Sequence, residues 1–152
     1  MSLLNNVTVR QVIVQTTAGS TDLTPNDAGG VVVDMQGYEG CLFLGVLDTV
    51  TAAGTVQLIP MHSDATSTTD LVAMSSYTAG TTATVAEHDG QTIMLDVYKP
   101  LKRYLGVTVD KATQPTEIRV LAMPYNTHKG PVSQSTGTNG VLDPTLVVSP
   151  TT

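Results

Sequence analysis

The chain has 152 residues and a formal net charge of −6, so it is long enough for one domain with a hydrophobic core and too acidic to favour nucleic acid or an anionic membrane as a partner. Hydrophobic residues make up 41% of the chain, which excludes a disordered polymer. Valine and threonine are abundant, and their β-branched side chains suit strands better than helices. No apolar run approaches the roughly 18 residues that a membrane span needs.

The first half of the chain predicts several strands. From 7 to 15, valines alternate with polar residues and then shift by one position, which indicates a strand with a β-bulge near Gln11. Val31–Val33 predicts a short strand. Cys41–Val50 is an almost continuous apolar run and predicts a strand that is buried on both faces. Within it, the single cysteine excludes an intrachain disulfide and is interpreted as a small buried hydrophobic residue.

The second half continues the pattern of alternation. Apolar and polar residues alternate with a period of two over 55–61, 92–98, 103–109 and 116–123. Asp89-Gly90 precedes the second of these strands and is a hairpin signal, because glycine tolerates a positive φ. Asp70–Met74 predicts one helical turn.

Together these elements predict an all-β fold: a single-domain antiparallel β-sandwich or jelly-roll-like barrel of about eight strands, followed by an extended C-terminal arm. We place the core domain at residues 1–125, and a flexible linker with the C-terminal arm at 126–152. Apolar residues on both faces of 41–50 and 118–125 further predict a homotrimer or, second, a homodimer.

The C-terminal arm carries an apolar segment behind a linker rich in Ser, Thr and Gly. Its strand-forming residues are Val141, Leu142, Leu146, Val147 and Val148. We expect this segment to be ordered in an assembled particle and to cross to another subunit, because a free apolar strand is an aggregation hazard. The alternative is a disordered tail.

The sequence offers no catalytic signature. His62, Ser63 and Asp64 are three residue types found in catalytic triads, but a triad is assembled by geometry rather than by adjacency, and we interpret them as a polar loop. The three histidines are too far apart to predict a metal site. We therefore predict a protein that is not an enzyme, with no catalytic residue, metal or cofactor.

One cluster of basic residues interrupts the acidic chain. Lys99, Lys102 and Arg103 lie within five residues and are flanked by Tyr98 and Tyr104. Tyrosine and arginine are enriched in interface hot spots, so the cluster is a candidate docking patch for an acidic partner surface. The alternative is a solvated turn around a proline.

Three segments carry a resemblance to a known group of proteins. Asp34–Gly40, Asp96–Tyr104 and Val109–Gln114 resemble segments of small virion proteins of tailed bacteriophages and prophages, in particular head-decoration or capsid cement proteins. The resemblance covers roughly residues 30 to 130. Two positions depart from it: Gly106 stands where relatives often carry a basic residue, and Pro115 where a polar one is expected.

The resemblance implies a virion structural protein that binds the outside of an assembled capsid and stabilises it. Its partners would be the major capsid protein and further copies of itself, without nucleic acid or membrane. It would be made in the bacterial host cytoplasm and lie on the outer capsid surface of the virion. The alternatives are a carbohydrate- or receptor-binding β-sandwich of a phage particle, and a head–tail joining protein.

Overall fold

Two antiparallel sheets packed against each other form the fold in the computed structural model, which describes residues 6–14, 21–25, 31–50, 55–74, 79–81, 89–112 and 116–126. The described strands are β1 (Arg10–Val14), β2 (Val33–Asp34), β3 (Gly40–Val50), β4 (Thr55–Ser63), β5 (Val72–Ala73), β6 (Ala79–Thr81), β7 (Thr92–Tyr98), β8 (Tyr104–Ala112) and β9 (Thr116–Tyr125). The all-β sandwich prediction is confirmed. No helix in these ranges is long and apolar enough to cross a membrane.

Each sheet joins strands that are distant in the chain. Sheet 1 has the order β1-β9-β3-β7, and sheet 2 has the order β2-β8-β4-β5, with β6 also pairing with β4. In sheet 1, β9 lies between β1 and β3. The predicted arm lies outside the described residues, so its order and its crossing to another subunit stay predictions.

The core lies between the two sheets and is built from the inward-facing residues of the longer strands. Phe43, the only phenylalanine of the chain, is completely buried there. Its buried neighbours in the same cluster include Cys41, Leu47, Leu58, Leu95, Leu105, Val107, Ile118 and Val120. The interpretation of Cys41 as a buried hydrophobic residue is thus confirmed, and burial raises the pKa of its thiol.

β3 is fully buried on one face only, so the prediction of burial on both faces is wrong for its other side. Cys41 and Phe43 point inward, whereas Leu42, Leu44 and Val46 are half-buried on the outer face of sheet 1. Neighbouring strands cover them in part, because Leu44 lies opposite residues of both β7 and β9 in the register. An apolar run in a central strand therefore does not by itself indicate that other elements pack on both faces of the sheet.

Two local predictions have different outcomes. The β-bulge near Gln11 is confirmed, because the register of β1 against β9 shifts between Gln11 and Ile13. The helical turn predicted over 70–74 is wrong. A 3₁₀ turn ends at Asp70, β5 follows, and directly after β5 the Met74 N–H donates a 2.8 Å hydrogen bond to the carbonyl oxygen of Pro60.

The outer side of sheet 2 is covered at Gly106 by two separate segments. A Cβ atom on Gly106 would lie 2.8 Å from Leu71 Cδ1 and 3.3 Å from Pro25 Cγ. Leu23, in the same segment as Pro25, exchanges two backbone hydrogen bonds of 2.9 Å with Val109 and so holds that segment on the sheet. A side chain at position 106 would therefore have to displace both segments.

A lysine is among the buried residues at the end of β8. Lys111 points inward and burial lowers the pKa of its ammonium group. Its backbone N–H donates a 2.9 Å hydrogen bond to the Asp22 carboxylate, whose charge partly opposes the shift. The acidic residue thus stabilises both the backbone and the charge at this end of sheet 2.

Tyr125 crosses over β3 to join β9 and β7 on the outer face of sheet 1. Its hydroxyl donates a 2.7 Å hydrogen bond to the Asp96 carboxylate. The ring passes over Gly40, where a Cβ atom would overlap it. Glycine at this position therefore permits a side-chain link between two strands that are not hydrogen-bonded neighbours.

Tyr125→Phe is expected to make stability less dependent on pH above about 10, the ordinary pKa of tyrosine. Burial, followed by the hydrogen bond to Asp96, raises the pKa of Tyr125 in the folded state. The unfolded chain therefore loses this proton first, and the stabilisation that is present below pH 10 is lost as the pH rises. Urea unfolding followed by circular dichroism between pH 8 and 11 measures the difference.

Tyr98→Phe is the matched control, because the exposed Tyr98 hydroxyl has no hydrogen bond to a described residue. Its midpoint of urea unfolding at pH 8 should equal that of the wild type, which separates the loss of a tyrosine hydroxyl from the loss of the hydrogen bond to Asp96. Parallel profiles for the wild type and Tyr125→Phe would contradict the role given to Tyr125.

Candidate functional site

The predicted basic cluster lies on the loop between β7 and β8, which we call the 99–103 loop. The loop begins at Lys99, whose φ of 50° is in the left-handed region that few side chains adopt. The Lys99 N–H donates a 2.7 Å hydrogen bond to the Glu39 carbonyl oxygen. This bond to the segment before β3 holds the loop in its strained backbone conformation.

Arg103 anchors the other end of the loop to β2. Its Nε and Nη2 atoms donate hydrogen bonds of 2.9 and 2.7 Å to the two carboxylate oxygens of Asp34, and Nη2 also donates to Gln36. The Met35 N–H donates a 2.9 Å bond to the Arg103 carbonyl oxygen. The hydrogen bond from Arg103 lowers the pKa of Asp34. A two-pronged contact of this kind fixes orientation more strictly than a single ion pair does.

The remaining cations of the loop have different surroundings. Lys102 Nζ lies 3.1 Å from Asp64 Oδ2, an exposed pair that solvent screens. Lys99 Nζ lies 5.2 Å from the centre of the Tyr98 ring, and Arg103 stacks similarly on Tyr104 at 5.1 Å. Among described residues, no carboxylate forms an ion pair with Lys99. Two of the three predicted cations are thus already paired within the chain, and Lys99 carries the outward charge.

Leu101 forms the tip of the loop and is 94% exposed. Two concavities of about 560 and 370 Å³ lie on either side, and both are lined by Lys99, Pro100 and Leu101. Sequence analysis did not select Leu101. The sequence contains one indication of this exposure. Leu101 is an apolar residue that follows a proline between cations, and it lies outside the alternating strands that would bury it.

The structure brings together the predicted residues Tyr98, Lys99, Lys102, Arg103 and Tyr104 on one loop and the strand ends beside it. The other predicted residues lie outside the described part of the chain; they are Val141, Leu142, Leu146, Val147 and Val148. Whether the arm belongs to the same site therefore stays a prediction.

The His62–Asp64 segment supplies a structural partner to the loop. Ser63 is buried, and its hydroxyl accepts a 2.9 Å hydrogen bond from the Ala65 N–H, while Asp64 pairs with Lys102. His62 Nδ1 is buried and has no hydrogen-bond partner among the residues that the structure describes. Within the ranges that the structure describes, no group of three His, Cys, Asp or Glu residues is placed to hold a metal ion.

Comparisons of the chain with protein-family models, curated proteins and solved structures found no match. The functional assignment therefore depends on the residues of the 99–103 loop and on the resemblance of the sequence segments.

Proposed function

We propose that this protein is a virion structural protein that binds the outside of an assembled phage capsid and stabilises it, with the 99–103 loop as its contact. The observation that carries the proposal is the 94% exposure of Leu101 on a loop whose two ends, at Lys99 and Arg103, are held by hydrogen bonds. A fully exposed leucine on a fixed loop is suited to insertion into an apolar pocket of a partner, at a low cost in conformational entropy.

The charges of the loop favour a partner surface with acidic residues. Lys99 stands beside Leu101 and has no ion pair with a described carboxylate, so an acidic rim around the partner's pocket would complement it. Arg103 is less suited to this role, because it is already engaged by Asp34 and Gln36. Binding should therefore depend on Leu101 first and on Lys99 second.

Leu101→Asp is expected to weaken binding to purified capsid shells by about 30-fold, which is the effect of losing a hot spot worth roughly 2 kcal/mol. The shells are those of the phage that encodes the protein, prepared without it, and co-sedimentation measures the bound fraction. Leu101→Met should bind as the wild type does, because it keeps an apolar side chain at the tip.

Val72→Asp is the matched control, since Val72 is also exposed, at 57%, and lies on β5 rather than on the loop. It introduces the same charge and should leave binding unchanged. Equal binding by Leu101→Asp and the wild type would remove the loop from the proposal. Absence of the wild-type protein from purified virions by mass spectrometry would overturn the function itself.

Carbohydrate binding is the second candidate, because Tyr98 is 56% exposed beside the concavity of about 370 Å³. Exposed tyrosine rings next to a carboxylate, here Asp96, suit the stacking and hydrogen bonding of a sugar. Binding to immobilised glycans that is abolished by Tyr98→Ala would favour this function over capsid attachment.

A further inference from the structure

Sheet 1 has a free edge at β7. β7 is the last strand in the order β1-β9-β3-β7, and no described strand pairs with it on the side away from β3. Its seven residues contain no proline and only one charged residue, Asp96. Proteins usually protect such edges with proline, lysine or a covering segment, because an unpaired edge recruits other strands.

The register identifies which backbone groups point outward. The Lys99 N–H bonds to the Glu39 carbonyl and the Leu47 N–H to the Gln91 carbonyl, so the odd-numbered residues of this strand bond to β3. The even-numbered residues therefore direct their N–H and C=O groups away from the sheet. These residues are Thr92, Met94, Asp96 and Tyr98, and their backbone groups have no partner among the described residues.

An apolar crevice accompanies this edge. The concavity of about 370 Å³ is lined by Leu95 and Val97 of β7 on one side and by Pro60 and Met74 of sheet 2 on the other. It lies where the two sheets of the sandwich separate, so a strand added to β7 would place every second side chain in it. The edge offers hydrogen bonds and the crevice offers apolar burial to the same ligand.

A segment of this chain has the matching pattern. Residues 145–149 read Thr-Leu-Val-Val-Ser, so Leu146 and Val148 share one face of a strand while the other face is mainly polar. Pro144 and Pro150 bracket the segment, as suits a short edge strand. Residues 145–149 lie outside the described ranges.

The point where the described chain ends permits this pairing. Asn126 follows Tyr125, which lies opposite Gly40, and Gly40 lies opposite Tyr98 at the end of β7. The exit is therefore two strand spacings, about 10 Å, from the free edge. Residues 127–144 could span roughly 60 Å when extended, which reaches the edge of the same chain or of a neighbouring copy.

We propose that the free edge of β7 and the adjoining crevice bind residues 145–149 of this chain as an added strand, with Leu146 and Val148 in the crevice. The crevice is also lined by Lys99, Pro100 and Leu101, so the added strand would lie beside the proposed capsid contact of the 99–103 loop. It protects an otherwise exposed edge and names the surface on which the C-terminal arm acts.

Amide hydrogen exchange of the full chain, followed by nuclear magnetic resonance, tests the proposal. In the wild type, the outward amides nearest the crevice, those of Met94, Asp96 and Tyr98, should be protected, and the double variant Leu146→Asp/Val148→Asp should speed their exchange at least tenfold. The amides of Ile93, Leu95 and Val97, which bond to β3, should stay protected and so report an intact sheet.

The double variant Thr145→Asp/Val147→Asp is the control, because it adds the same charge to the opposite face of the segment. It should leave all six amides protected. Fast exchange of the three outward amides in the wild type would overturn the proposal, as would equal protection in wild type and Leu146→Asp/Val148→Asp. If protection is constant over a roughly hundredfold range of protein concentration, the segment comes from the same chain. If protection rises with concentration, the segment comes from a neighbouring copy. Both results support the pairing.

Discussion

Phe43→Ala is expected to lower the free energy of unfolding by about 3–5 kcal/mol, the usual cost of removing a buried phenylalanine. Phe43 is completely buried near the middle of β3, where it lies opposite Leu95 of β7 and Ala122 of β9. Its ring fills the space between the two sheets, and its removal leaves a cavity that three paired strands are too constrained to close. Urea unfolding followed by circular dichroism measures the loss.

Two control variants are needed to interpret the loss of stability in Phe43→Ala. Phe43→Leu keeps most of the apolar volume and should cost clearly less than Phe43→Ala. Leu101→Ala removes a side chain that is almost fully exposed and should stay within about 0.5 kcal/mol of the wild type. A loss below 1 kcal/mol for Phe43→Ala would show that the ring does not fill the core as described.

Gly106→Arg is expected to destabilise the domain by about 3 kcal/mol, at the upper end of the cost of overpacking. The new side chain would displace both Leu71 and Pro25 from the outer face of sheet 2. Gly106→Ala should cost less than about 1 kcal/mol, because its nearest obstacle is the movable end of the Leu71 side chain. Thermal and urea unfolding of the two variants give the comparison.

A double-mutant cycle separates this clash from other effects of arginine. Leu71→Ala removes the obstacle, so Gly106→Arg should destabilise the Leu71→Ala background less than it destabilises the wild type. The same loss in both backgrounds would contradict the contact between Gly106 and Leu71 as the cause.

Local sequence patterns predicted the strands well, because a strand that is buried on one face alternates apolar and polar residues with a period of two. The alternation over 92–98 and 116–123 corresponds to β7 and β9, and the phase shift near Gln11 corresponds to the bulge in β1. The 3₁₀ turn at Thr68–Asp70 was harder to predict, because the strand that follows it, β5, pairs with β4, and Leu71 covers Gly106.

The candidate site was only partly predictable. The concentration of cations at 99–103 is visible in the sequence, but the partner of Arg103 lies 69 residues away in the chain, and no local pattern links Asp34 to it. The sequence alone therefore could not show whether Arg103 faces an external acidic surface or an acidic residue of its own chain. In the folded protein, Lys102 and Arg103 are already paired within the chain, whereas Leu101 is almost fully exposed. We therefore give Leu101 the main role in the proposed site.

The strand order of sheet 1 has a consequence for how the protein is made. β9 separates β1 from β3, so neither of these strands has its main partner until residues 116–125 have been synthesised. Until then a nascent chain on the ribosome holds β1 without a sheet neighbour and β3 with β7 as its only partner in sheet 1 among the described strands, and pairings this distant in sequence form slowly. Chaperone binding to ribosome-attached chains should therefore persist until β9 has emerged from the exit tunnel, and then decline.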